Sequence, residues 1–283
     1  MSDRSFKPVM AGLIALVAAS FGLALLLGNG SFGWPASDVD WRIVNEIRLP
    51  RALAALVTGS LLALAGALMQ VLLRNPLADP YVLGVSGGAA AFALGGMLLG
   101  LAAIPTELLA FAGALVSSII VFVLGQGSGP WSTARMLLTG VVVAAGWGAL
   151  ISLMLALGDD QTLRGMLFWL MGDLSYARVS IWWLPAVIAI TAVLMLRARS
   201  LNILAAGETQ AALLGEDPRR RYTEIYVAAA ALTAVAVSIA GTIGFVGLIV
   251  PHLMRLIVGA DHRRLLPAAA LFGGAFLVLA DAL

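Results

Sequence analysis

Long apolar runs, separated by short polar, glycine or proline breaks, set the pattern of this chain. They occupy approximately 9–27, 49–73, 82–104, 107–126, 134–158, 180–197, 225–241, 243–258 and 265–283. A helix crosses a bilayer with about 20 mostly apolar residues, and none of the runs shows the period-two alternation of a lipid-facing barrel strand. The pattern predicts an all-α, polytopic transmembrane bundle with nine membrane segments, several of them interrupted by Gly or Pro. Pro105, the cluster 125–130 and Gly158-Asp159-Asp160 punctuate the runs as loops do. The first run follows Arg4 and Lys7 and reads as a retained helix. Its apolar core exceeds the roughly 7–15 residues of a signal peptide, and no small-x-small cleavage site follows it. Residues 28–47, which hold Trp34, Asp38, Asp40, Trp41, Arg42 and Glu46, read as an interfacial loop.

Composition narrows the picture. Of 283 residues, 61% are hydrophobic and 11% charged, against roughly 45–50% and about 25% in an ordinary soluble domain. Apolar surface on that scale has to face lipid. The 31 glycines suit a membrane bundle, where small residues let helices approach closely. Cysteine is absent, which excludes disulfides, thiolate metal sites and Cys nucleophiles. A net charge of +2 is too small to suggest a nucleic-acid partner. Lys7 is the only lysine, so no phosphate-binding loop of the G-x-x-x-x-G-K-[ST] type exists here and ATP is not hydrolysed by that machinery.

The cations set an orientation. With a cytoplasmic N-terminus, the inner loops collect Arg4, Lys7, Arg74, Arg135, Arg197, Arg199, Arg219, Arg220, Arg221, Arg255, Arg263 and Arg264. Arg42, Arg48, Arg51, Arg164 and Arg178 remain outside, a division that satisfies the positive-inside bias. The outer cluster of Arg42, Arg48 and Arg51 goes against that bias, and its position at the start of a helix suits docking of an acidic partner. The longest internal polar interval, 197–223, is cytoplasmic in this topology. Gly207 and Gly215 break it into what reads as two short helices joined at Gly207. By composition alone it equally fits a surface loop anchored to headgroups by its arginines. The run Asn75-Pro76-Leu77-Ala78-Asp79-Pro80 is a sharp turn, since two prolines so spaced cannot continue a helix.

Other conspicuous residues carry less. His252 and His262, with no Cys and no matching acidic cluster, make a poor metal or haem site and read as structural hydrogen-bonding groups. Met136, Met154, Met166 and Met171 read as packing filler, and Trp182 and Trp183 as part of an interfacial aromatic belt. An intramembrane enzyme would need a buried polar catalytic set, whereas the runs hold isolated Ser and Thr residues and Gln70, with no paired carboxylates and no H-E-x-x-H. An ion-coupled secondary transporter normally places an ionisable residue near the midplane; Glu107 and Asp281 lie near run ends.

Three blocks resemble the iron-chelate and vitamin B12 permease family, the integral subunits of binding-protein-dependent ABC importers. They are IRLPRALAALVTGSLLALAGALMQVLLRNPLADPYVLGVSGGA at 47–89, LGE at 214–216 and GTIGFVGLIVPHLMRLIVGADHRRLLP at 241–267, in the family's order and spacing. FWLMGDLS at 168–175 looks like the family's outer segment between the fifth and sixth helices. The resemblance implies one transmembrane permease domain over 1–283 with a cytoplasmic coupling loop at 198–222. The family pattern has ten helices, and the ninth run reaches Leu283, so the tenth is expected to be missing from this sequence. Homodimers, two cytoplasmic ATPase subunits that bind ATP and Mg, and a periplasmic substrate-binding protein are likewise implied. By position, Arg48 and Arg51 correspond to the residues that dock the binding protein. Leu201, Gly207, Glu208, Leu214, Gly215 and Glu216 fall in the ATPase-coupling segment, and Asn75, Leu77, Ser132 and Thr133 near the cytoplasmic gate. The implied cargo is an iron–siderophore, haem or cobalamin, with no cofactor or metal held by this chain.

Overall fold

The computed structural model describes residues 3–28, 31–126, 131–175, 177 and 179–283. Arg178 and residues 127–130 of the expected glycine-proline break lie outside them. Helix α1 (Asp3–Leu26) leads into a two-residue antiparallel pair, β1 (Leu27–Gly28) with β2 (Ser31–Phe32). Helix α2 (Asp38–Ile43) then runs through a π-helical turn, Val44–Arg48, into α3 (Leu49–Leu72). The second half of the expected loop at 28–47 is therefore helical. The physical reason is a capping box: the Ser37 hydroxyl accepts the Asp40 N–H at 3.2 Å while Asp40 accepts the Ser37 N–H at 3.0 Å, satisfying two otherwise orphaned donors.

A 3-10 turn (Pro80–Leu83) precedes α4 (Val85–Leu98), and α5 (Thr106–Gln126) and α6 (Thr133–Leu157) follow. Helix α7 (Asp160–Met171) was not expected as an element; Asp159 starts it by accepting the Thr162 N–H at 3.0 Å. The chain closes with α8 (Trp183–Leu196), α9 (Ala198–Ala205), α10 (Glu208–Leu213), α11 (Pro218–Ala240), α12 (Val246–Val258) and α13 (His262–Ala282). Among the described residues six helices are long and apolar enough to cross a membrane, and the α8–α9 pair, bent by 57°, makes a seventh if it is one span. The remaining two runs, 82–104 and 243–258, yield only the shorter apolar helices α4 and α12. Hydropathy reports burial in lipid but not backbone direction: Gly84 (φ 71°) and Phe245 (φ 68°) hold left-handed conformations that delay both helix starts.

Helix α3 is the axis of the bundle and is buried from Ala52 to Leu72 except at Leu56, which is half-buried. It packs against α11, α12 and α13, and α1 covers α13. Small residues set these distances. A Cβ on Gly59 would strike the backbone of Gly273, and one on Gly66 the backbone of Gly247, so α3 meets α13 and α12 backbone to backbone. A second group, α4 with α5 and α6, is held by Ser117, whose hydroxyl donates to Gly84 O at 2.7 Å and accepts from Trp147 Nε1 at 2.9 Å. Helix α11 joins the groups through Tyr226, whose hydroxyl donates to Ser118 O at 2.7 Å. In α6 only Met136 and Gly140 are buried, so one face of this helix is bare.

Candidate functional site

Chemistry-bearing residues gather at the two ends of the bundle. At one end α8 stops at Leu196 and the chain turns into α9, whose Leu201 and Leu204 point into the core. Leu201, 2% exposed, anchors the segment and does not present itself to a partner. Gly207 (φ 124°) breaks the path before α10, and Gly215 (φ 82°) ends it; both conformations suit glycine and strain any L side chain. The expectation of two short helices joined at Gly207 agrees with the structure. Between the breaks, Glu208 opens α10 half-buried, and Leu213 and Leu214 stand 81% and 67% exposed. Glu216 accepts Arg221 Nε at 2.7 Å, Arg221 also reaches Glu224 at 2.8 Å, and Asp217 caps α11 through the Arg220 N–H. This network fixes the angle at which the segment re-enters the bundle.

The gate candidates lie at the same end. Asn75 Oδ1 accepts the Leu77 N–H at 2.9 Å, closing the turn after α3 and leaving Leu77 60% exposed. Ser132 is the N-cap of α6, accepting the Arg135 N–H at 3.3 Å, and Thr133 is the first residue of that helix. Tyr222, which sequence reasoning missed, stands between these pieces. Its ring lies 5.3 Å from that of Trp131, next to Ser132, and it senses the charges of Arg74, next to Asn75, and of Glu208 in α10. The side chain is 1% exposed and its hydroxyl has no hydrogen-bond partner among the described residues. The only signal was an aromatic at the polar start of an apolar run. Asp79 caps the 3-10 turn through the Tyr81 N–H at 2.7 Å, and burial pushes its carboxyl above the usual carboxylate range.

At the opposite end, Arg48 Nη1 donates to Leu25 O at 2.8 Å, and Arg51 forms a two-point pair with Asp281, at 2.7 and 2.9 Å. Both arginines thus have partners inside the chain, and Arg51 shares its charge with a carboxylate that sequence reasoning considered only as an ion-coupling candidate. Glu107 lines a cavity of about 420 Å³ at this end together with Trp169 and Asp173. His262 is a structural hydrogen-bonding residue, as expected, with Nδ1 lying 2.6 Å from Asn202 Oδ1. Among the described residues no three His, Asp or Glu side chains gather as a metal site would require.

The bundle thus combines small-residue helix contacts with a double-glycine segment at one end and two arginines held by partners within the chain at the other. A family model described as the FecCD transport family matches residues 9–283. The chain belongs to that family. Its FecCD relatives include the cobalamin import permease BtuC of Halobacterium salinarum, 43% identical over 89% of this chain and 73% of that one. The hemin transport permease HmuU of Yersinia pestis is 38% identical over 98% and 85%, and the ferric enterobactin permease FepD of Escherichia coli 40% over 95% and 85%. A solved inward-facing structure described as a metal-chelate type ABC transporter superposes with a TM-score of 0.88 at 29% identity, covering 98% of this chain and 90% of that one.

Proposed function

We propose that this FecCD chain is the membrane permease subunit of an ATP-driven importer that moves a metal chelate, a ferric siderophore, haem or cobalamin, from periplasm to cytoplasm. It works as a homodimer in a bacterial inner membrane with its N-terminus in the cytoplasm. Two ATPase subunits bind ATP and Mg on the cytoplasmic side, a binding protein delivers cargo on the other, and this chain performs no covalent chemistry. The observation that carries the reading is the α9–α10 segment, whose adjacent leucines, 213 and 214, are exposed beyond the membrane helices. Apolar side chains held out on a hinged, glycine-bounded segment call for a protein partner to cover them. Movement of that segment, driven by ATP on the partner, opens the gate region around Asn75, Leu77, Ser132 and Thr133. Arg48 and Arg51, the latter partly exposed beside its Asp281 partner, are the contacts for the binding protein at the far end, where charge complementarity governs encounter and register.

The homodimer is supported by α6, which leaves Ala145, Gly146, Gly148 and Ala149 exposed along its bare face. Small residues on an exposed transmembrane face favour close approach of a second helix. Because the chain has no cysteine, one introduced thiol reports on this contact alone. Oxidation of Gly146→Cys in native membranes is expected to give a dimer band, with Gly12→Cys on the lipid-facing side of α1 as the negative control. Equal cross-linking of the two variants refutes the α6 interface.

A further inference from the structure

Asn202 ties the α9–α10 segment to the first turn of α13, and every polar atom of its carboxamide takes part. Its Nδ2 donates to Asp261 Oδ1 at 2.8 Å, and its Oδ1 accepts the backbone N–H of His262 at 2.9 Å. The same Oδ1 lies 2.6 Å from His262 Nδ1, so that nitrogen carries the proton. Asp261 is also the N-cap of α13, accepting the Arg263 N–H at 3.0 Å. Its carboxyl is held below the usual range, chiefly by the Asn202 amide. His262 is 2% exposed, so its ring is fixed in this arrangement. A side chain of one helix therefore completes the cap of another 60 residues away in sequence.

The same helix is fastened along its length and at its far end. Ser60 Oγ donates to Ala270 O at 2.8 Å, Gly59 and Gly273 bring the α3 and α13 backbones together, and Asp281 holds Arg51. Helix α13 has 21 residues, which at 1.5 Å each is about 30 Å, the depth of a bilayer core. One element thus joins the exposed α9–α10 segment to an arginine at the opposite end of the molecule.

We propose that Asn202 is the positioning residue that makes α9, α13 and the Arg51 half of α3 a single strut, so that displacement of the α9–α10 segment is delivered to the binding-protein face. The inference rests on the assignment of that segment to the ATPase. The test uses the full complex of permease, ATPase and binding protein in proteoliposomes, measuring whichever of radiolabelled cobalamin, haem or ferric siderophore the wild-type complex accumulates, as cargo moved per ATP hydrolysed, and binding-protein affinity with and without ATP. Asn202→Ala should lower cargo per ATP about tenfold, within the usual range for coupling between sites, and should flatten the ATP-dependent change in affinity. Asn202→Asp, which sets a second carboxylate against Asp261 at nearly unchanged volume, should do the same and serves if the alanine variant assembles poorly. Asp281→Asn cuts the strut at its other end. Substitutions this far apart normally add, but a strut is cut only once, so the double variant should couple no worse than the weaker single. Additive losses of coupling, or normal cargo per ATP in both Asn202 variants, overturn the proposal. A wild-type complex that moves cargo without consuming ATP refutes the importer reading itself.

Discussion

Replacing Gly66 with alanine tests the backbone-to-backbone packing on which the bundle depends. An ideal Cβ at this position collides with the Gly247 carbonyl oxygen and lies 2.6 Å from the carbonyl carbon and 2.8 Å from the Gly247 Cα. Carbon atoms pack comfortably at about 3.5–4.0 Å, so α3 and α12 have to separate by about 1 Å. The atoms met are main chain, and no rotamer change relieves them. Overpacking of a filled core costs about 1–3 kcal/mol, and a clash with an immobile carbonyl belongs at the upper end. The Gln70 Nε2 bond to Leu248 O at 3.2 Å, one turn along the same contact, weakens as well, for about 1 kcal/mol more. Alanine returns about 1 kcal/mol through helix propensity, which leaves a net loss of about 3 kcal/mol. Thermal unfolding of the purified permease, followed by tryptophan fluorescence, should show Gly66→Ala melting well below wild type. Gly12→Ala on α1, where a Cβ meets nothing within 4 Å, should melt at or slightly above it. Equal melting of the two variants would refute the packing argument.

Three further outcomes are expected. Gly215→Trp forces a bulky side chain into a φ of 82° and should abolish uptake while the protein still inserts; normal ATPase co-purification, ATP turnover and uptake together would reduce the segment to a surface connector. Replacing Arg48 and Arg51 with Glu should weaken binding-protein affinity and reverse its salt dependence without disturbing ATPase assembly, and an unchanged salt profile would count against docking. Because burial raises the Asp79 pKa on folding, this group's contribution to stability is full below pH 3.8 and falls as pH rises through the raised value. Asp79→Asn, which keeps an acceptor for the Tyr81 N–H, should therefore melt higher than wild type at pH 7 and lose that advantage towards pH 4; a constant offset across pH would show that ionisation of Asp79 is not the cause.

The sequence announced the membrane helices because lipid demands long apolar runs, and it announced Gly207 and Gly215 because glycine in a polar interval marks a backbone that other residues cannot adopt. It concealed the lengths of α4 and α12, whose apolar flanks are turns and irregular chain, with Leu99, Leu101, Ile104 and Phe245 exposed. The Ser37–Asp40 box was readable by spacing but sat in a stretch whose tryptophans and charges suggested an interface. Long-range pairings left no local trace. Nothing in the pattern places Asn202 against Asp261, or Arg51 against Asp281 across 230 positions, since each depends on how separate helices stack. Tyr222 was hidden for the same reason: its meaning comes from Trp131, Arg74 and Glu208 around it.

Cargo movement by this chain requires ATP consumption on a partner, a dependence that uptake into proteoliposomes reads out. Permease alone, permease with ATPase, and permease with ATPase and binding protein are compared using radiolabelled cobalamin, haem and ferric siderophore, with and without ATP and with imposed proton or sodium gradients. Accumulation of one chelate class is expected only in the complete system with ATP, with no ATP hydrolysis by the permease alone. Accumulation by the permease alone under an ion gradient would contradict it.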